Sequence, residues 1–267
     1  MLTPAQLKQF DEEGYIFLPD LFTPEEVRAM REAVPRVFEQ RRQENVREKT
    51  GNVVRTAFAV HTYDPVFKAL VHHPNFVGPA EQMLQDRVYI HQFKINGKAA
   101  FDGDVWQWHQ DYGTWKNDDD MPTARAMNLA VFIDEVNEFN GPLWFIPRSH
   151  KKGVIEASHD LTTTSYPLWT INNDTIAKLV DQGGIVSMKG KPGSALFFHS
   201  TLVHGSPPNM SPWGRVIIYV SVNSVNNAIR RFKRPEWIAH RDFTPIDTWD
   251  RDCIVNARRP VAPRAAE

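Results

Sequence analysis

Around residue 85 the sequence stops reading as helix and starts reading as strand. From there Val88–Asn96, Val105–Asp111, Met127–Asp134, Leu143–Pro147, Ser194–Ser200 and Arg215–Asn223 are short runs rich in apolar and aromatic residues. Gly, Pro, Asn and Asp separate them, which is the punctuation of strands joined by turns. Helical spacing between them is sparse, with Asp174–Gln182 the best candidate. Many strands with few crossover helices predict a mainly antiparallel sandwich or barrel. Ahead of it, Thr3-Pro4-Ala5-Gln6 and Thr23-Pro24-Glu25-Glu26 each read as a capping box with proline at the first helical position. Tyr15–Leu18 reads as a brief strand between the two helices. The second helix repeats Val27, Met30, Val34 and Val37 along one face, and Pro35 is expected to kink or divide it. The charged run Arg41–Lys49 reads as a solvated helix end or loop.

These patterns predict one domain over residues 1–267: helical support over 1–85, a β core over 86–225, a C-terminal cover over 226–257, and a disordered tail over 258–267. Lys and Arg (31) nearly balance Asp and Glu (32), so there is no electrostatic footprint for nucleic acid or an anionic membrane. The N-terminus lacks the basic start and apolar core of a signal peptide, and no run approaches the roughly 20 apolar residues of a membrane span. With one cysteine, Cys253, in a polar and Arg-rich stretch, the expectation is a cytoplasmic protein in a reducing compartment, without a cysteine nucleophile.

Trp108-His109-Gln110-Asp111 closes a strand-like run. Side chains two apart in an extended chain share a face, so His109 and Asp111 can approach one ion together. With a distant histidine they form a two-histidine, one-carboxylate set that leaves positions open on Fe(II) for a co-substrate and O2. His-x-Asp alone means little, and His240-Arg241-Asp242 repeats it. The second copy lies in a Pro- and charge-rich segment with no histidine after it. The first precedes His199 and His204, beside the strand Ser194–Phe198. His204 is followed by ten turn-prone residues and then Arg215, heading an apolar strand. A hairpin or wide antiparallel connection would return Arg215 beside His204. A guanidinium there suits a dicarboxylate that chelates the metal at one end, which is 2-oxoglutarate, and Ser206 can add a hydroxyl donor.

His109-Gln110-Asp111, His204 and Arg215 resemble the phytanoyl-CoA dioxygenase-like branch of Fe(II)/2-oxoglutarate oxygenases, closest to bacterial hydroxylases of free proline, leucine and ectoine. Val88–Asn96, Gly103–Asp111, Phe139–Leu143, Pro192–Ser194, His204–Ser206, Asn209–Pro212, Arg234–Glu236 and Arg241–Pro245 carry the similarity over nearly the whole chain. The resemblance implies a double-stranded β-helix (jelly-roll, cupin-like) core with N-terminal helices. It implies Asn96, Ser206 and Arg215 as 2-oxoglutarate contacts, and Gln92, Lys94 and Trp115 as substrate wall. Lys94 stands where ectoine hydroxylase has an arginine and Gly113 where it has a glutamate, which argues against ectoine itself. Arg241 is the candidate for the substrate carboxylate, its alternative being a salt bridge with Asp242 or Glu236. Trp106, Trp108, Tyr112 and Trp115 are candidates to line the pocket, or simply core.

The expected activity is hydroxylation of an unactivated C–H in a small polar substrate, a free amino acid or a derivative, with ascorbate stimulating. The presence of Asp111 implies hydroxylation, since halogenating relatives lack that carboxylate. Ectoine, an aminophosphonate or an acyl-CoA are alternatives within the same chemistry. A non-catalytic cupin-like binding protein is the alternative from another class. A monomer and a homodimer are equally compatible with the sequence.

Overall fold

The computed structural model describes residues 1–51 and 53–258. Its helices are α1 (Pro4–Glu13), α2 (Pro24–Phe38), α3 (Pro65–Val71), α4 (Pro74–Leu84), α5 (Asp111–Asp119), α6 (Asn173–Gly183) and α7 (Cys253–Asn256). The strands of the N-terminal third are β1 (Tyr15–Leu18), β2 (Asn45–Arg47) and β3 (Val54–Phe58). Then follow β4 (Val88–Lys98), β5 (Trp106–His109), β6 (Ala126–Phe132), β7 (Leu143–Phe145), β8 (Ser158–Asp160) and β9 (Leu168–Thr170). The last four are β10 (Val186–Met188), β11 (Ala195–His199), β12 (His204–Ser206) and β13 (Arg215–Ser224).

A seven-stranded sheet, in the order β1-β11-β6-β13-β4-β3-β2, faces a four-stranded sheet, β10-β7-β12-β5, with a small β8–β9 hairpin beside them. Every pairing among these strands is antiparallel. This is the jelly-roll core that the resemblance implied. Period-two alternation builds it. On β6, β11 and β13 one set of side chains (Leu129, Val131, Phe197, Ile218, Val220) packs against α2, α3 and α4. The intervening set (Ala130, Phe132, Leu196, Phe198, Ile217, Tyr219) packs against Leu143 and Phe145 of the smaller sheet.

Strand β4 keeps that alternation but changes its chemistry. Phe93 and Ile95 join the helical side of the core. Gln92, Asn96 and Lys98 turn the other way and are buried between the sheets, with Lys94 in the same row. The register with β13 slips between Ser221 and Val222, leaving His91 as the extra residue. One extra residue exchanges the two faces, so Ile90 and Phe93 can both serve the apolar core.

Both capping boxes form, at Thr3/Gln6 and at Thr23/Glu26. Helix α2 is not divided: Pro35 lies inside it, in the last turn before Phe38. The run Arg41–Lys49 is not a solvated stretch either. It contains the edge strand β2, and Glu48 is buried against Arg55, Nη1 to Oε2 3.1 Å. The segment between His204 and Arg215 is no hairpin, because β12 and β13 belong to different sheets and the loop crosses from one to the other. Residues 259–267, most of the stretch expected to be a disordered tail, lie outside the described residues. Arg258, where that tail was expected to start, is held by both carboxylate oxygens of Glu32 at 2.8 Å each. The cover over 226–257 lies along β4, with the amides of His240 and Ile246 donating to the carbonyls of His91 and Val88. Among the described residues no helix is long and apolar enough to cross a membrane.

Candidate metal and co-substrate site

Strand β5 ends at His109, and Gln110 continues the extended backbone at φ −115°, ψ 130°. Asp111 is then the first residue of α5 rather than the end of a strand. Because Gln110 is still extended, the one-face relation of residues 109 and 111 survives. Gln110 is itself clamped: its amide donates to the Gly153 and Thr201 carbonyls (2.9 and 2.6 Å) and accepts from the Ile155 amide at 2.9 Å. His204 sits directly opposite His109 in the β5–β12 pairing. One donor atom each from His109, Asp111 and His204 lies within 4.8 Å of the other two, the only such group among the described residues. His109 Nε2 is 3.7 Å from Asp111 Oδ1, and His204 Nε2 is 3.6 Å from Asp111 Oδ2.

The hydrogen bonds behind these groups favour a metal. His109 Nδ1 meets the Gln107 carbonyl at 2.6 Å and His204 Nδ1 the Leu202 carbonyl at 2.9 Å. A carbonyl can only accept, so each Nδ1 carries the proton and each Nε2 presents a lone pair toward Asp111. Burial drives the His109 pKa down to about 3 and lowers that of His204, so both imidazoles are neutral, the form in which they could ligate a metal. Burial alone would raise the Asp111 carboxyl, but Lys94, the two histidines and a hydrogen bond from Asn128 carry it below its ordinary value. That bond, Asn128 Nδ2 to Asp111 Oδ2, is 2.8 Å, and Ser221 Oγ donates to Asn128 Oδ1 at 2.5 Å. The three side chains thus fit a divalent first-row metal.

Arg215 is fully enclosed. Its Nε and Nη2 donate to the Gly141 carbonyl (3.2 and 2.6 Å), and Nη2 also reaches Ser206 Oγ at 3.2 Å. Its Nη1 is buried without a partner, as is Asn96 Oδ1. Tyr219, whose phenol burial pushes up to about 12, and Asn96 line one cavity with His109, Asp111 and His204, and Arg215 is not part of that lining. A buried guanidinium with an unused N–H is suited to an anionic ligand.

The substrate-wall candidates divide. Gln92, Lys94 and Trp115 line the cavity. Gln92 donates to the Ile238 carbonyl at 3.1 Å, while the Lys94 ammonium has no hydrogen-bond or salt-bridge partner among the described residues. Arg241 does not line it: exposed, it donates to the Phe232 and Arg234 carbonyls and lies over the Phe232 ring at 5.0 Å. It makes no salt bridge with Asp242 or Glu236. The arginine that does reach the cavity is Arg234. Its guanidinium is forked onto Asp119, Nε to Oδ1 2.8 Å with Nη2 on Oδ2, and His91 Nε2 stands 3.3 Å from that carboxylate. Tyr166, between β8 and β9, also faces the cavity, packed on Trp106 at 5.9 Å. Of the four aromatic candidates, Trp106 and Trp115 line it; Trp108 packs on Trp144, and Tyr112 donates to the Met121 carbonyl. His199 is remote, packed on Phe10 and His150. His240 packs edge-on against His61 and belongs to no metal-binding group. Cys253 is half-buried, and burial raises its thiol pKa.

The phytanoyl-CoA dioxygenase (PhyH) family model matches residues 10–217. The chain belongs to this family. Among curated members it is 35% identical to an ectoine dioxygenase of Bordetella bronchiseptica, over 92% of this chain and 86% of that protein. It is 34% identical to the L-proline trans-4-hydroxylase of Streptomyces griseoviridis, over 91% of this chain and 95% of that one. Among solved structures, EctD from S. alaskensis with 2-oxoglutarate and 5-hydroxyectoine superposes with a TM-score of 0.84 at 30% identity, covering 93% of this chain and 87% of that one. The same protein with bound Fe gives 0.83 at 31%. These PhyH relatives carry the oxygenase chemistry for which the His109, Asp111 and His204 donor set is suited.

Proposed function

We propose that this chain is an Fe(II)- and 2-oxoglutarate-dependent hydroxylase acting on an unactivated C–H of a small carboxylate, an amino acid or amino-acid derivative. The observation that carries it is a pair of unmet needs: two Nε2 lone pairs converging with a carboxylate, and a buried guanidinium N–H with nothing to donate to on Arg215, which is held by Ser206 two residues along β12 from His204. His109, Asp111 and His204 would hold iron, and iron bound there supplies the oxidative chemistry that couples 2-oxoglutarate decarboxylation to hydroxylation. Arg215, Ser206 and Asn96 would fix the distal carboxylate of 2-oxoglutarate. Arg234, pre-aligned by Asp119, would take the carboxylate of the substrate, the role the sequence assigned to Arg241. Gln92 and Lys94 would contact its polar end, with Trp106, Trp115 and Tyr166 excluding water. A cytoplasmic location is part of this reading, supported by the single cysteine, which fits a reducing compartment.

The test is succinate formation from 2-oxoglutarate with Fe(II) and ascorbate, together with mass spectrometry of candidate substrates for the gain of one oxygen atom. His109→Ala and Asp111→Ala should abolish both signals. Undiminished succinate formation in either variant would end this reading.

A further inference from the structure

Beside Arg215 lies a second buried basic side chain, and it does not line the cavity either. Lys98 is the last residue of β4, paired with Arg215 in the β4–β13 register, and it is 1% exposed. Its Nζ donates to the Ser206 carbonyl at 3.3 Å and to the Pro207 carbonyl. Among the described residues no carboxylate is hydrogen-bonded or ion-paired to it. Burial, and then the charge of Arg215, hold its pKa well below the ordinary value. Ammonium and amine alike have the two N–H bonds that two carbonyls need. Like charges side by side repel, so Lys98 is no counter-charge for Arg215. What it contributes is where it holds those carbonyls.

They sit where the orientation of Arg215 is decided. Ser206 supplies the hydroxyl that Arg215 Nη2 meets, and that hydroxyl donates to the Gly141 carbonyl at 2.9 Å. The Gly141 carbonyl also takes Nε and Nη2. Gly141 is left-handed at φ +77°, and a Cβ there would stand 2.7 Å from Lys98 Cδ, 2.9 Å from the Pro207 carbonyl oxygen and 3.1 Å from Lys98 Nζ. Glycine is needed for the backbone angle and for the close approach. Lys98 thus packs on one acceptor of Arg215 and hydrogen-bonds the residue that carries the other.

Fixing an acceptor fixes the donor aimed at it. With Nε and Nη2 committed, the plane of the guanidinium follows from where the Gly141 carbonyl and Ser206 Oγ are held, and the unused Nη1 N–H follows with it. Resting on the assignment of Arg215 to 2-oxoglutarate proposed above, we infer that Lys98 is a positioning residue for the co-substrate. It holds Ser206, Pro207 and Gly141 so that Arg215 presents Nη1 to the distal carboxylate.

Calorimetry under nitrogen on the Fe(II)-loaded enzyme tests this with 2-oxoglutarate and 2-oxovalerate, which has a methyl group in place of the distal carboxylate. The parent should prefer 2-oxoglutarate by at least about a hundred-fold. Lys98→Met fills similar space without the N–H bonds and should cut that preference at least about ten-fold, by weakening 2-oxoglutarate alone. Lys98→Gln is one bond shorter, so its amide can serve only one of the carbonyls. It should cut the preference about three-fold, and it stands in if Lys98→Met does not fold. Beside Arg215→Lys, which already lowers the preference, Lys98→Met should remove no more than about a further two-fold. An unchanged preference in either folded variant, equal weakening of both keto acids, or a larger further loss beside Arg215→Lys would each overturn the inference. Arg215→Lys alone separates this from failure of the reading beneath it. If that variant keeps the parent preference, the assignment of Arg215 to 2-oxoglutarate is what fails, and the role of Lys98 falls with it.

Discussion

Replacing Arg215 by lysine keeps the charge and removes the fork, and the structure sets what that should cost. Arg215 spends Nε and Nη2 on the Gly141 carbonyl and Ser206 Oγ, which leaves Nη1 for a ligand. A lysine has a single ammonium on a flexible stem. The Gly141 carbonyl, buried and also accepting from Ser206 Oγ at 2.9 Å, competes with the ligand for it. The loss is therefore about one charge-assisted hydrogen bond, roughly 1.5–3 kcal/mol. That corresponds to a rise of roughly ten- to hundred-fold in the KM for 2-oxoglutarate. The apparent affinity for Fe(II) should stay put, because Arg215 makes no hydrogen bond to His109, Asp111 or His204. Succinate formation titrated against 2-oxoglutarate at saturating iron measures the first quantity, and titration against iron at saturating 2-oxoglutarate the second. A KM within two-fold of the parent would refute the assignment of the unused N–H to the co-substrate. A parallel loss of iron affinity would show instead that Arg215 supports the β12 strand on which His204 sits.

Asn128→Ala removes the donor to Asp111 and should weaken Fe(II) binding roughly ten- to hundred-fold with little change in the KM for 2-oxoglutarate, read by the same two titrations. Arg234→Lys breaks the fork on Asp119 and should raise the substrate KM by at least about ten-fold, whereas Arg241→Ala should leave it within two-fold; equal effects would return the substrate carboxylate to Arg241. His199 and His240 are held neutral by burial with pKa values of about 4, below the ordinary 6.5. Their folded values are depressed, so the unfolded chain takes up their protons first, and stability present above pH 6.5 drains away as pH falls toward 4. By pH 5 each should have cost about 2 kcal/mol. Urea unfolding of the metal-free protein at pH 7 and pH 5 should show the loss, and His240→Asn should lose about that much less; an identical pH dependence in the variant would contradict the assignment.

The convergence of His109, Asp111 and His204 was legible because two local signals point at it, an extended His-x-Asp and a later histidine beside a strand. What the sequence concealed depends on partners far along the chain. Glu48 sits in a charged run that reads as solvated, yet it is buried because Arg55 and the amide of Asp104 meet it there. Ten turn-prone residues after His204 announce a reversal, but nothing in them says that the next strand joins the other sheet. Asn128 looks like any polar residue in an apolar strand until Asp111 and Ser221 are brought to either side of it. Arg234 and Arg241 are the clearest case. They are seven residues apart in a segment without regular strand or helix, so no period decides which one turns inward. The decision is made by Asp119 at the end of α5, with His91 behind it at the β4 bulge, because only a buried carboxylate makes burying a guanidinium affordable there. The same bulge sends Gln92, Lys94 and Asn96 toward the cavity. A single extra residue in β4 therefore both supports the anchor for one arginine and supplies the wall it faces. Substrate recognition and fold register are set by the same few backbone atoms.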